Sequence, residues 1–162
     1  MTGQRPEAAA DCFVCRKHRE RGALVPGGPV GEDDLVLVSH MPGRPDRPAY
    51  LGHLFVEPLR HAPGLADLTD DEARAVGWWC MRASRALREV AGAEHVYAQV
   101  IGDQVPHLHV HLLPRYPGTP EEYWWDRVAQ WPDAARGSEP QIAALVRDLR
   151  GYLQRSKDGI AQ

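Results

Sequence analysis

A strict alternation of histidine and apolar residues over His107–Leu112 is the feature of this 162-residue sequence that most restricts its fold. The stretch contains histidine at 107, 109 and 111, separated by single apolar residues. Successive side chains of a β-strand point to opposite faces of a sheet. A strand over Leu108–Arg115 therefore has imidazoles on one face and aliphatic side chains on the other. The aliphatic face needs a core to pack on, so we predict a half-buried sheet.

The three alternating imidazoles indicate chemistry rather than packing. An unperturbed histidine has a pKa of about 6.5, so most of these rings are neutral near neutral pH. Neutral imidazole acts as nucleophile, proton shuttle or metal ligand. A single histidine here would fit a solvent-facing strand. Three in alternation favour function, because histidine is not enriched in strands.

The rest of the chain predicts an α+β fold with a mainly antiparallel sheet. Thr69 and Glu72 form a capping box that begins a long helix, and Gly92 is a plausible stop. Apolar residues at spacings of three and four give this helix one packing face: Ala73, Val76, Cys80, Ala83 and Leu87. The other predicted elements are strands at Leu35–Val38, Leu51–Glu57 and His95–Ile101, and a C-terminal helix at Ile142–Leu153.

Composition excludes several classes of function. Lys and Arg total 19 against 22 Asp and Glu, a net charge of −3, so no broad cationic surface for nucleic acid polymers or anionic membranes is expected. Mean hydropathy is −0.44, and no apolar run approaches the roughly 20 residues of a membrane span. Three cysteines are too few for a disulfide framework. We predict a cytoplasmic protein that acts on a small molecule.

The 15 glycines and 14 prolines divide the chain into segments. Residues 1–10 lack periodicity and are predicted to be disordered. Residues 11–162 are predicted to form one domain, with an enlarged loop at 41–50. From about residue 117 a Trp-rich extension follows, containing Tyr123, Trp124, Trp125 and Trp131.

The sequence resembles the histidine triad (HIT) family of nucleotide hydrolases and transferases between about Cys12 and Tyr116. His107–Leu113 fits the family signature of three histidines alternating with apolar residues, and Gly52–His61 resembles the strand and turn that precede it. The resemblance implies a HIT-like five-stranded sheet, with a long helix after the second main strand. It also implies a homodimer and a small nucleotide substrate.

The resemblance assigns the catalytic roles residue by residue. His109 would attack the α-phosphorus and form a nucleotidyl-histidine intermediate, while His111 and His53 would orient it and contact the phosphate. Gln104 stands where many relatives place a serine or threonine that assists the leaving group, and an amide cannot pass on a hydroxyl proton.

The residues that bind the rest of the substrate are less defined. Relatives have an Asp or Asn for the ribose where this chain has Ser39 and His40, with Asp46 in the enlarged loop as another candidate. Trp124 or a neighbouring aromatic residue is expected to wall the site, although packing against the sheet explains the tryptophans as well.

A subset of the family binds zinc through residues that match Cys12, Cys15, His61 and His107 here. Two thiolates and two imidazoles suit a closed tetrahedral Zn²⁺ site of structural type. His18 is a competing ligand. This assignment removes His107 from phosphate binding.

The resulting hypothesis is a hydrolase or nucleotidyltransferase acting at the α-phosphate of a nucleoside phosphate or phosphoramidate. Two alternatives stay open at this point. The three alternating histidines would bind a catalytic metal in one, and the protein would bind nucleotides without turnover in the other.

Overall fold

The computed structural model describes residues 11–158, so the predicted disordered segment 1–10 lies outside the described residues. Its α-helices are α1 (Phe13–Glu20), α2 (Asp70–Ala91) and α3 (Glu139–Asp158). The strands, in chain order, are β1 (Gly31–Glu32), β2 (Val36–His40), β3 (Ala49–Tyr50), β4 (Leu54–Pro58), β5 (His95–Gln99), β6 (Val110–Arg115) and β7 (Arg136–Gly137).

The main sheet has five strands in the order β1-β2-β4-β6-β5, and every neighbouring pair is antiparallel. The α+β prediction with a five-stranded sheet is therefore confirmed. Residues aligned across the central strands include Ser39 with Phe55 and Phe55 with His111. Aligned residues share a face, so β2, β4 and β6 contribute side chains to one common surface.

One face of the sheet forms the main core against α2 and α3. Val38, Val56 and Leu112 are fully buried there together with Leu87 and Leu149 from the helices. The opposite face, here called the histidine face, carries Phe55, His109 and His111. The alternation of the triad strand thus separates core from site, as the period of two requires.

Helix α2 begins where the sequence predicts. The Thr69 hydroxyl accepts a hydrogen bond from the Glu72 amide, and Gly92 ends the helix with φ +73°. The predicted packing face needs two corrections, because Ala73 is exposed and Trp79 is buried. Trp79 donates from Nε1 to Asp33 at 2.6 Å, so its polar atom is satisfied at the edge of the core.

Three elements are absent from the sequence prediction: α1, the edge strand β1, and a short ribbon in which β3 pairs with β7. Two predicted strands also begin late, because Leu51 lies in a turn and Leu108 precedes β6. Within residues 11–158, no helix combines the length and the apolar character needed to cross a bilayer.

Candidate active site and metal cluster

Four rings come together on the sheet face opposite the core. The Phe55 ring lies 4.9 Å from that of His111, 5.9 Å from His109 and 5.1 Å from His53, measured between centroids. Strands β4 and β6 fix Phe55 and His111 as aligned neighbours, whereas His53 and His109 lie just before those strands. The structure thus brings together three of the four predicted catalytic residues.

The tautomer of His109 follows from its hydrogen bond. Its Nδ1 lies 2.7 Å from the carbonyl oxygen of His107, which can only accept. Nδ1 therefore carries the proton, and in the neutral ring Nε2 keeps its lone pair. The side chain is half-buried. In its neutral form, the ring therefore has its free lone pair on Nε2.

His53 and His111 form a hydrogen-bonded pair beside His109. Nε2 of His53 lies 3.0 Å from Nδ1 of His111. Burial, together with the neighbouring histidine charge, lowers the pKa of His111 to about 4 and that of His53 to about 3. Both rings are neutral near neutral pH, so one nitrogen of the pair donates and the other accepts.

A buried group of two cysteines and two histidines lies at the end of the sheet nearest α1. The ligand atoms of Cys12, Cys15, His61 and His107 all lie within 4.8 Å of one another. His107 Nδ1 is 3.5 Å from the Cys12 Sγ and 3.4 Å from the Cys15 Sγ, and His61 Nδ1 is 3.5 Å from the Cys15 Sγ. Tetrahedral zinc bonds place sulfur and nitrogen ligands about 3.5 Å apart. The spacing of the group therefore suits zinc.

The outer contacts of this group also suit a cation. His107 Nε2 donates to the Pro58 carbonyl at 2.8 Å, which leaves the Nδ1 lone pair facing the two thiols. Burial, with a contribution from Cys12, raises the pKa of Cys15 to about 11. A coordinated metal reverses that shift, because it holds a thiol in its deprotonated form.

His18, the competing ligand, is not part of this group. Its Nε2 lies 2.9 Å from Oε2 of Glu57, and the other oxygen of Glu57 accepts from Lys17 at 2.6 Å. Burial by itself would raise the pKa of Glu57, but the hydrogen bond from His18 and the Lys17 charge keep it below its usual range. The Lys17 ammonium also lies 5.0 Å from the Phe55 ring centroid, which joins this network to the histidine face.

Sequence reasoning missed Lys17 and Glu57 as members of the site. The signal was an acidic residue in the otherwise apolar segment Leu54–Pro58, since a charge in a buried strand needs a partner. Its partner could not be chosen in advance, because the chain offers 19 Lys and Arg residues.

The predicted substrate-binding residues on β2 are engaged within the protein. The Ser39 hydroxyl accepts from Lys17 Nζ at 3.2 Å. His40 is fully buried, and its Nδ1 donates to the Met41 carbonyl while Nε2 accepts from the Gly52 amide. Ser39 lies on the histidine face, and His40 ties the enlarged loop to the turn before His53.

Three other candidates are not among the four rings of this site. Gln104 is exposed in the connection between β5 and β6. Trp124 is half-buried, with its indole nitrogen donating to the Thr119 carbonyl and the Arg115 guanidinium 4.0 Å from its ring centroid. Asp46 is exposed at the tip of the enlarged loop. The predicted roles of these residues stay predictions.

The antiparallel sheet, the triad strand and the Cys-His group together define a histidine triad protein. A family model described as the HIT domain matches residues 25–118, more than half of the chain, and the protein belongs to that family.

Comparisons with individual proteins agree with this assignment. The chain is 31% identical over 108 residues to an AP-4-A phosphorylase of Mycobacterium tuberculosis, covering 63% of this chain and 50% of that protein. It is 34% identical over 74 residues to an asymmetrical bis(5'-nucleosyl)-tetraphosphatase of Schizosaccharomyces pombe, covering 43% of this chain and 41% of that protein. The chain thus spans about half the length, or less, of these curated relatives.

Solved structures show the same fold at lower sequence identity. A Zn-bound histidine triad family protein from Mycobacterium smegmatis superposes with a TM-score of 0.66 at 22% identity, covering 93% of this chain and 99% of that one. A histidine triad nucleotide-binding protein from Sulfolobus tokodaii also gives 0.66, at 20% identity, covering 90% and 94%.

Proposed function

We propose that this protein hydrolyses or transfers the nucleotidyl group of a small nucleotide by attack of His109 on the α-phosphorus. The observation that carries the proposal is the 2.7 Å hydrogen bond from His109 Nδ1 to the His107 carbonyl. It fixes a lone pair on Nε2 beside two neutral histidines. The substrate class is supported by the two curated relatives, which are named for reactions of AP-4-A and of a bis(5'-nucleosyl)-tetraphosphate.

The proposed reaction has two displacement steps. Nε2 of His109 forms a bond to the α-phosphorus as the bond to the leaving group breaks, and the leaving group departs with that electron pair. A water oxygen then attacks the same phosphorus, the P–N bond breaks, and its electrons return to Nε2. The products are a nucleoside monophosphate, the leaving group and a proton.

His53 and His111 stabilise the phosphorus centre in this scheme. When His53 donates its Nε2 proton to Nδ1 of His111, the neutral His111 ring carries its own proton on Nε2. That N–H is then a donor for a phosphate oxygen. Because both rings are neutral, the His111 N–H donates to the phosphate without placing a second positive charge beside the His109 ring, which becomes cationic when Nε2 bonds to phosphorus.

We also propose that Cys12, Cys15, His61 and His107 bind zinc as a structural ion. All four positions of a tetrahedral ion would be filled by protein, so the ion would fix α1 to the sheet and supply no open coordination site. This assignment leaves the His109 lone pair for nucleophilic attack. It disfavours a single catalytic metal bound by all three alternating histidines, because His107 Nδ1 faces the cysteines.

Trapping of the intermediate tests the proposal. Wild-type protein is mixed with diadenosine tetraphosphate or adenosine 5'-phosphoramidate, quenched in alkali to preserve the P–N bond, and analysed by peptide mass spectrometry. We expect an adenylyl group on the peptide containing His109 and none in His109→Asn. His95→Asn is the matched control, because His95 is an exposed histidine on β5. Full turnover by His109→Asn would refute the mechanism.

The edge of the sheet supports the proposed homodimer. Strand β5 pairs only with β6 within the described sheet, and Val100 and Ile101 directly after it are exposed. An unpaired edge beside exposed apolar residues favours pairing with a second copy. Light scattering should give a dimer for the wild type and a monomer for the double variant V100D/I101D. A monomeric wild type at all concentrations contradicts the homodimer.

A further inference from the structure

A cavity of about 230 Å³ opens beside the histidine pair and contains an unusual concentration of positive charge. Its lining includes Arg44, Arg47 and Arg136, together with Met41, Tyr50 and His53. No carboxylate lines it within the described part of the chain. His53 belongs both to this cavity and to the pair with His111, so the cavity adjoins the proposed site of attack.

The enlarged loop holds two of these arginines side by side. Arg44 and Arg47 exchange both backbone hydrogen bonds, at 2.9 and 3.1 Å, across a tight turn. Residues that pair in this way project from the same face of the turn. Both residues are exposed and line the cavity. Because like charges in directly opposed positions are destabilising, an anion bound in the cavity would relieve the repulsion between them.

The third arginine comes from a distant part of the chain. Arg136 lies on β7 opposite Tyr50, and its guanidinium donates to the carbonyls of Pro48 and Ala129. These contacts orient it beside the loop. Its position depends on the ribbon of β3 and β7, which no local pattern of the sequence predicts.

The three cations have no acidic partner within the described part of the chain. Among residues 11–158, none of the ion pairs includes Arg44, Arg47 or Arg136. Asp46 stands at the tip of the turn and does not line the cavity. In a chain of net charge −3, three arginines that line one cavity without an ion-pair partner among residues 11–158 form a local concentration of positive charge that favours an anion.

We infer that this arginine cavity binds a phosphoryl group next to the nucleotidyl phosphorus at His109, an inference that rests on the proposed function. Guanidinium groups suit this role because their planar donors bind phosphate oxygens in pairs. Two sources provide the same chemistry: the further phosphates of a polyphosphate leaving group, and inorganic phosphate that replaces water as the acceptor. In the second case a phosphate oxygen attacks the nucleotidyl-histidine, the P–N bond breaks, and a nucleoside diphosphate forms.

Two substrates with the same adenylyl group but different leaving groups separate these sources. Diadenosine tetraphosphate has a charged leaving group, whereas adenosine 5'-phosphoramidate releases ammonia. Each is assayed with and without inorganic phosphate, using the wild type and R44Q/R47Q. The matched control is R85Q/R88Q, which removes the same charge from exposed positions on α2, across the sheet.

The expected result is a selective loss. R44Q/R47Q should lower kcat/KM for diadenosine tetraphosphate by about tenfold or more, while phosphate-free cleavage of the phosphoramidate stays at the wild-type value. A loss of kcat/KM for diadenosine tetraphosphate without added phosphate identifies the polyphosphate chain of the leaving group as the ligand. A loss confined to the phosphate-dependent rate identifies inorganic phosphate, acting as the acceptor, as the ligand. Equal effects on all arms, or no effect, would overturn the inference.

A binding measurement separates this inference from the proposed function. If the wild type cleaves neither substrate, the proposed function fails, and titration with inorganic tripolyphosphate still tests the cavity. We expect calorimetry to show binding to the wild type and to R85Q/R88Q, and weaker binding to R44Q/R47Q. Equal binding by all three proteins would refute the arginine subsite.

Discussion

Lys17 and Glu57 connect the first helix to the histidine face through a fully buried ion pair. Their side chains are 4% and 2% exposed, and Nζ lies 2.6 Å from Oε1. Each charge is compensated by its neighbours: Ser39 accepts from Lys17, and His18 contacts the second oxygen of Glu57. Removing one partner leaves the other charge buried and uncompensated, which costs more than the pair itself contributes.

Replacing Lys17 by methionine should therefore destabilise the protein by about 3–5 kcal/mol. Urea unfolding followed by circular dichroism measures this change. The double variant K17M/E57L, which removes both charges, should be less destabilised than K17M. If K17M/E57L is destabilised as much as K17M or more, the pair does not carry the coupling that its geometry indicates.

Among the elements, α1 depends most on a group outside itself. It begins at Phe13 directly after Cys12, no side chain caps its first turn, and it has only eight residues. Isolated helices of this length are marginal in water. Its attachment to the sheet therefore depends on the Cys-His group, Lys17 and His18.

Removal of a proposed zinc ligand should loosen α1. Cys12→Ser should abolish the binding of about one zinc ion per chain and lower the melting temperature, because bound metal stabilises the folded state. Cys80→Ser is the matched control, since Cys80 lies on α2 outside the group. Zinc retained at the wild-type level in Cys12→Ser contradicts the assignment, and elemental analysis measures it directly.

The start of α2 provides a second test at this scale. The Thr69 amide donates to Glu72 at 2.8 Å, and the Glu72 amide donates to the Thr69 hydroxyl at 3.2 Å. Thr69→Ala should lower the free energy of unfolding by about 1 kcal/mol. Thr69→Asn, which keeps a capping oxygen, should retain most of it. Equal losses in the two variants would exclude capping as the cause.

The whole molecule should lose stability as the solution becomes acidic. Burial lowers the pKa of His40 to about 4, and burial together with the charges of His111 and His40 lowers that of His53 to about 3. Histidine in an unfolded chain has a pKa of about 6.5, so below that value the unfolded state binds more protons. Each of the two residues then reduces stability by up to about 1.4 kcal/mol per pH unit until the pH falls through its folded pKa.

Denaturant unfolding between about pH 7 and about pH 5 measures this slope. We expect His40→Gln to flatten it, and His53→Gln provides the same test if the first variant does not fold. Stability that rises on acidification, or a slope unchanged in both variants, would show that these histidines do not titrate as buried neutral groups.

Patterns within one element were sufficient to predict most of the sheet and the beginning of α2. The alternation around His109 predicts which side of the strand meets the core, and the capping residues around Thr69 predict where α2 begins. Ala73 shows the limit of such patterns. Its spacing of three from Val76 places Ala73 on the predicted packing face of α2. Ala73 is nevertheless exposed and Trp79 is buried, because the neighbouring elements decide which part of a helix is covered.

The sequence by itself determined the chemical types at the site: three alternating imidazoles, two cysteines with two residues between them, and a loop rich in arginine and proline. Tertiary structure decided which of them meet. His107 turns towards Cys12 and Cys15, more than 90 residues earlier, and His18 towards Glu57, while Arg136 joins Arg44 and Arg47 across a ribbon. Local spacing fixes the direction of a side chain relative to its own strand or helix. The pairing of distant strands fixes its neighbours, and that pairing depends on the burial of the whole core.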